Sequence, residues 1–228
     1  MQIVLEVAAF SNIATAVLSA IISVYLFHLW RSQENRLLTD LPLMFGITFL
    51  TQAINNIILV LPIIGLIENS MTLFRFRSIV IIGTAFPMLV VLVTIWLPRI
   101  RRHHAKIIGL LATYWIVVAL TAPTDQMIMM MHLPIIFALT IGMIVTFSIT
   151  WKTGRLKEVR SELIVVSFLI GLLGQLFKVP LMNMGLDFVG HFITAFATIL
   201  ATLGLANPWY KQERADERHP EPVPVVTG

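Results

Sequence analysis

The sequence contains no cysteine and unusually little charge. Without cysteine the chain can form no disulfide, no thiolate metal site and no cysteine nucleophile. Charged residues make up 12% of the 228 residues, whereas a soluble domain carries about 25%. Hydrophobic residues make up 57% of the chain, which is more apolar surface than one soluble core of this size could bury. We therefore predict an all-α integral membrane protein whose helices are solvated by lipid.

The sequence also lacks the motifs of common catalytic sites. It contains no H-E-x-x-H zinc motif, no G-x-S-x-G nucleophile elbow and no phosphate-binding loop. Its 6 histidines are not paired within the predicted helices as haem ligands would be. We therefore expect no enzymatic activity, no bound cofactor and no metal site.

Seven hydrophobic runs are long enough to cross a membrane as helices, which takes roughly 20 apolar residues. They cover residues 4–30, 41–67, 78–98, 107–124, 126–151, 161–181 and 187–209. The first run is too long for a cleavable signal peptide. The sequence predicts a seven-helix transmembrane domain over 1–210 and a cytoplasmic tail over 211–228. We expect this charged, proline-rich tail to be disordered.

Most of the 16 lysine and arginine residues fall on one side of the predicted membrane. They lie in the segments 31–36, 99–106, 152–160 and 211–218. Positive residues favour the cytoplasmic side, so the pattern predicts an outside N-terminus and a cytoplasmic C-terminus in the cell membrane. The segment Arg99–Lys106 also predicts contact with anionic lipid head groups. Nucleic acid is not implied, because the basic residues separate membrane-length runs.

Two parts of the chain resemble each other at a constant offset. Arg36-Leu37 aligns with Arg155-Leu156, and Thr48-Phe49-Leu50 aligns with Ser167-Phe168-Leu169. Runs one to three and five to seven would then be parallel repeats joined by run four, a 3+1+3 plan. Chance similarity between leucine-rich helices is the alternative. The repeat predicts that polar stripes on runs two and six face each other in one seam.

The candidate binding site consists of polar residues expected near the outer ends of four runs. They are Asn55, Asn56, His132, Gln175, Lys178, Asp187 and His191. Charges beside a membrane core are costly and are therefore usually paired and often functional. Lys178 and Asp187 could form an ion pair that pins the last helical hairpin. Alternatively, the set forms an outward-facing pocket in which Lys178 or His191 contacts an anionic or polar group while the amides orient it.

Two families share features with this chain. Arg77 with Gly83-Thr-Ala-Phe-Pro87, and a last helix that begins at Asp187, resemble the seven-helix sensor region at the N-terminus of many histidine kinases and diguanylate cyclases. This resemblance implies a receptor-like sensor of a small ligand. No kinase or cyclase domain follows here, so we expect a protein partner to supply the output. The 3+1+3 plan also resembles SWEET-type sugar transporters and implies a small-solute transporter, although their tryptophan–asparagine pair and proline tetrad are not recognisable.

A concentration of methionine near the predicted outer surface supports a third interpretation. The residues concerned are Met127, Met129, Met130, Met131, His132, Met182 and Met184. Thioether sulfur and imidazole are ligands that suit Cu(I), but methionine is also a flexible apolar filler. The third alternative is therefore an accessory subunit of a larger membrane complex, such as a copper-containing one.

Overall fold

A computed structural model describes residues 2–33, 36–156, 159–184 and 186–207. At residues 2–6, 178–179, 182–183 and 187 it describes the backbone alone. The predicted tail, 211–228, lies outside the described residues. A short 3-10 segment, Pro98–His103, connects two of the α-helices. The α-helices are α1 (Gln2–Arg31), α2 (Leu41–Ile63), α3 (Met71–Val80), α4 (Ile82–Trp96), α5 (His104–Thr121), α6 (Asp125–Thr153), α7 (Ser161–Asn183) and α8 (Asp187–Ala206).

Six helical segments of the described chain are long and apolar enough to cross a membrane. They are Val7–Arg31, Leu41–Ile63, Met71–Trp96, Pro98–Thr121, Asp125–Thr153 and Phe188–Ala206. The sixth predicted run corresponds to a shorter apolar stretch, Ser161–Phe177. The helical, multi-pass membrane architecture is thus confirmed. The count of seven spans and the orientation stay predictions.

The third span begins earlier than the hydropathy of the sequence predicts. Ser70 caps α3 by accepting a hydrogen bond from the backbone N–H of Leu73 at 3.3 Å, which starts the helix well before residue 78. Helices α3 and α4 then continue as one span with a break at Ile81. As a result, Arg75 and Arg77 are half-buried side chains of this helix, although both lie outside the predicted run 78–98.

The helices pack in an order that closes on itself. Helix α1 packs against α2 and α8, α2 packs against α4, α4 against α6, α6 against α7, and α7 against α8. Helix α5 lies outside this ring, in contact with α3, α4 and α6. The rings of Phe45 on α2 and Phe168 on α7 meet edge to face, with centroids 6.1 Å apart. Together with Met143 and Phe147, this aromatic pair forms part of the apolar core inside the closed arrangement of helices.

The two predicted polar stripes bond to different helices. On α2, Thr48 donates its hydroxyl to the carbonyl of Thr84 on α4 at 3.4 Å. On α7, Ser167 donates to the carbonyl of Ala197 on α8 at 2.7 Å. Each stripe therefore holds its helix to a neighbour rather than to the other stripe. Helices α2 and α7 meet instead through apolar rings, and the internal repeat stays a prediction.

Helix α1 carries a buried polar stripe that was not among the features expected from the sequence. Its members recur at helical spacing on one face and are Ser11, Asn12, Thr15, Ser19 and Ser23. Ser23 donates to the carbonyl of Gly46 on α2 at 2.8 Å. Small polar residues allow membrane helices to approach closely and to hydrogen-bond. The stripe therefore accounts for the close packing of α1 on α2.

Candidate functional site

Most of the candidate residues lie near one end of the bundle. We call it the N-terminal end: α1, α3, α6 and α8 begin there, and α2, α5 and α7 end there. Ser23 lies opposite Gly46 on the antiparallel helix α2, and this register brings Asn12 level with Asn56. In turn, Asn12 contacts His191 of α8, with 3.2 Å between Asn12 Nδ2 and His191 Nε2. Helices α1, α2 and α8 thus place three polar side chains at one depth.

The same depth is reached on the other side of α2. Arg77 Nε donates to Asn55 Oδ1 at 3.4 Å, so α3 brings Arg77 level with Asn55. The next residue of α3, Ser78, hydrogen-bonds to His132 of α6 at 3.1 Å. Asn55 therefore joins α2 to α3, and Ser78 joins α3 to α6. These contacts link Asn55 and His132 through α3, and the binding site predicted for these residues stays a prediction.

His132 forms a closed hydrogen-bond network with Ser78 and Trp115. His132 Nε2 lies 3.2 Å from the carbonyl oxygen of Trp115 and must donate to it, so Nδ1 accepts from the Ser78 hydroxyl. Trp115 Nε1 donates to the Ser78 carbonyl at 2.8 Å. The indole and imidazole rings are stacked, with centroids 3.8 Å apart, and His132 is only 4% exposed. Both ring nitrogens are engaged, so His132 holds α3, α5 and α6 together rather than offering a free nitrogen to a ligand.

Two arginines on α3 bring positive charge to the N-terminal end. Arg75 donates through Nη2 to the carbonyl of Ala122 at 3.1 Å, while its buried Nε has no partner among the described residues. The Arg77 guanidinium lies 5.9 Å from the centroid of the Phe74 ring. Among the described side chains, neither arginine has a carboxylate within 4.0 Å. The ion pair among these side chains joins Arg160 and Glu162, which lie at the other end of the bundle.

These two arginines are not among the candidate site residues expected from the sequence. The signal that could have found them was Ser70, a favourable helix cap placed before an apolar stretch that contains both arginines. A guanidinium with unused N–H groups in a partly apolar setting attracts carboxylates and phosphates. The N-terminal end therefore has the charge to recognise an anionic group.

Within the described part of the chain, two buried amides at this depth have atoms without hydrogen-bond partners. They are Oδ1 of Asn12 and Nδ2 of Asn56, and the two residues are 2% and 7% exposed. A buried polar atom that lacks a partner costs about 1–3 kcal/mol. One atom is an acceptor and the other a donor, so a small molecule with both functions could satisfy them.

The remaining candidate residues have different surroundings. Gln175 is exposed on α7 and does not belong to the buried set. Lys178 lies near the end of α7 and Asp187 is the first residue of α8, but both side chains lie outside the described part of the structure. Their ion pair stays a prediction.

Nothing in the described chain assembles a metal site from histidine and carboxylates. No group of three or more histidine, aspartate or glutamate side chains among the described residues could hold a metal ion. The methionines at the start of α6 are exposed, as is Met184. Copper binding by these methionines stays a prediction.

No protein-family model, curated protein or solved structure matches this chain. The resemblances to sensor regions and to SWEET-type transporters stay predictions.

Proposed function

We propose that the protein is a receptor-like membrane sensor that binds a small anionic or polar ligand at the N-terminal end. The observation that carries the proposal is the pair of buried, unpartnered amide atoms on Asn12 and Asn56. Interhelical contact alone gives no reason to bury a donor and an acceptor that remain unpaired. A ligand that pairs with both would recover the free energy that they cost.

The charge at this end supports an anionic group on the ligand. Asn55 receives a hydrogen bond from Arg77, and the adjacent Asn56 carries the unpartnered donor. A ligand between α1, α2 and α3 would therefore meet an amide donor, an amide acceptor and a guanidinium. His191, in contact with Asn12, would complete its surroundings. His132 would act indirectly, by holding α3 in place through Ser78.

The orientation predicted from the basic segments would make this site accessible from outside the cell. Ligand binding would be transmitted through a protein partner, which would supply the output in the cytoplasm. Reporter fusions at the two termini test the orientation. An outside N-terminus and a cytoplasmic C-terminus are expected, and the reverse result would move the site to the cytoplasmic face.

Substitution of Asn56 by leucine distinguishes a ligand site from helix–helix glue. In a ligand site, Asn56→Leu removes an unsatisfied donor, so the thermal stability of the purified protein stays equal or rises. The same variant loses the stabilisation that a ligand gives to the native protein. A panel of small carboxylates with inorganic phosphate is a suitable first set of probes. Melting temperatures in detergent provide the measurement.

Thr140→Val is the matched control for this experiment. Thr140 bonds only to the carbonyl of Ile136 on its own helix, so the variant keeps the response to any ligand that shifts the native protein. If Asn56→Leu instead lowers the melting temperature and leaves every ligand shift intact, Asn56 is structural and the proposal fails.

The polar stripe of α1 favours transport as a second candidate function. It extends from Ser11 at the N-terminal end to Ser23, opposite Gly46. The buried hydroxyl of Ser19 within it has no partner in the part of the chain that the structure describes. A solute could follow such a line of hydroxyls through the bundle. A transporter produces solute flux into liposomes that contain this protein alone, and a sensor produces none.

A further inference from the structure

An apolar groove of about 530 Å³ lies between α4 and α6, in the half of the bundle away from the N-terminal end. Trp96 at the end of α4 and the following Leu97 line one side, and Ala138, Ile141 and Val145 line the other side on α6. Ala138 is exposed and its methyl group fills little of the space between the helices. The groove therefore opens toward the surface that faces lipid.

The indole of Trp96 is held in a defined position in the groove wall. Trp96 Nε1 donates to Thr146 Oγ1 on α6 at 2.8 Å, and Thr146 in turn donates to the carbonyl of Gly142. Trp96 is 51% exposed and lines the groove, so an occupant of the groove would touch it. Tryptophan is common at the level where acyl chains meet head groups.

Three exposed arginines follow the groove directly in the chain. Arg99, Arg101 and Arg102 lie in the 3-10 segment after Leu97, and we call them the basic turn. The ring of His104 donates to the carbonyl of Leu97 at 2.8 Å, which ties the basic turn to the end of the groove. Within the described part of the chain, no carboxylate lies within 4.0 Å of these guanidiniums.

We propose that the groove and the basic turn form a binding site for an anionic phospholipid. One acyl chain would occupy the apolar groove, and the phosphate of the head group would lie against the arginines. Basic residues at the end of an apolar cleft between membrane helices match this amphiphile in both charge and polarity. Free phosphate would find the charge but would leave the groove empty, and a zwitterionic lipid would gain less from the arginines. This site is separate from the one at the N-terminal end.

Quenching of Trp96 by brominated lipids tests the proposal on the full chain in bilayers. The signal of Trp96 is the difference between the native protein and Trp96→Phe. Brominated phosphatidylglycerol should quench this signal at a mole fraction at least about fivefold lower than brominated phosphatidylcholine, the factor that one basic residue supplies at low salt. High salt should reduce the preference because it screens exposed charges. Equal mole fractions for the two lipids would overturn the proposal.

Two variants separate the contributions of charge and groove. Replacement of the three arginines of the basic turn by glutamine should abolish the preference for the anionic lipid. Ala138→Phe should do the same while retaining the arginines, because the larger ring occupies the space of the acyl chain. If either variant keeps the full preference, the corresponding half of the site is wrong.

Controls test the specificity of the site. A matched triple variant removes equal charge elsewhere and should keep the preference: Arg31→Gln, Arg36→Gln and Arg155→Gln, all at exposed positions. If this control abolishes the preference, net charge attracts the lipid and the site is not specific. Complete displacement of the lipid by inorganic phosphate would show that the basic turn binds phosphate without the groove, which also overturns the proposal.

Discussion

The network of Ser78, His132 and Trp115 allows a quantitative test of how the N-terminal end is held together. Ser78→Ala removes the only hydroxyl that donates to His132 Nδ1 and leaves this buried acceptor unpaired. Such a loss costs about 1–3 kcal/mol in proteins generally. Interhelical hydrogen bonds in membranes average about 0.6 kcal/mol and reach about 1.7. We expect Ser78→Ala to lower the free energy of unfolding by about 1 kcal/mol.

The coupling between Ser78 and His132 carries more information than either single variant. His132→Phe retains an aromatic ring to stack on Trp115 but removes both of its hydrogen bonds. Once His132 is phenylalanine, the Ser78 hydroxyl has no ring nitrogen to donate to, and Ser78→Ala should then cost little. A double-mutant cycle should therefore give a coupling free energy of about 1 kcal/mol, within the usual range for residues in contact.

Unfolding by a denaturing detergent, followed by tryptophan fluorescence, provides the measurement. Thr140→Ala is the control, because its hydroxyl bonds only within its own helix, and its effect should stay within about 0.5 kcal/mol. A coupling of zero within error, below about 0.3 kcal/mol, would refute the reasoning. His132 would then not be held by Ser78, and its position on α6 would have another cause.

Two further predictions concern helix packing. Gly204→Ala should destabilise by about 1–3 kcal/mol in the same unfolding assay, because its Cβ would lie 3.0 Å from the carbonyl oxygen of Arg160. Gly109→Ala, where nothing lies within 4 Å, should stabilise α5 by about 0.5–1 kcal/mol; equal effects at the two glycines would contradict this reading of the α7–α8 contact. Asn12→Cys combined with His191→Cys should be joined by a short bifunctional thiol reagent, since the native side chains are 3.2 Å apart. Mass spectrometry detects the link in a chain without other cysteines, and its absence would contradict the α1–α8 contact.

The sequence indicated candidate residues for a site but not their partners. Hydropathy locates the ends of the helices, so polar residues near those ends were expected at a similar level, and their role as a binding site stays a prediction. The partners were not predictable: Asn55 bonds to Arg77, and His191 contacts Asn12. Neither partner was among the candidate site residues expected from the sequence. Pairing depends on the rotation of each helix about its axis, which a pattern along one helix does not reveal.

The sequence by itself determined the class of the protein and the approximate position of its helices. Apolar runs of membrane length report directly on a lipid solvent, because each residue contributes its own transfer free energy wherever its neighbours lie. Run 41–67 thus corresponds to the helix Leu41–Ile63, and run 126–151 to Asp125–Thr153. Hydropathy was less informative at α3. The Ser70 cap starts this helix at Met71 although it contains two arginines, which made the hydropathy run begin only at residue 78.

Only the tertiary structure decided which polar groups are satisfied. It closed the ring of hydrogen bonds around His132, placed Arg75 and Arg77 inside a helix, and left Asn12 and Asn56 with unpartnered atoms. It also placed the apolar groove beside the basic turn. The physical reason is that a hydrogen bond joins two groups within about 3 Å. Its existence depends on helix register, rotation and neighbours, and none of these is a property of one segment of sequence.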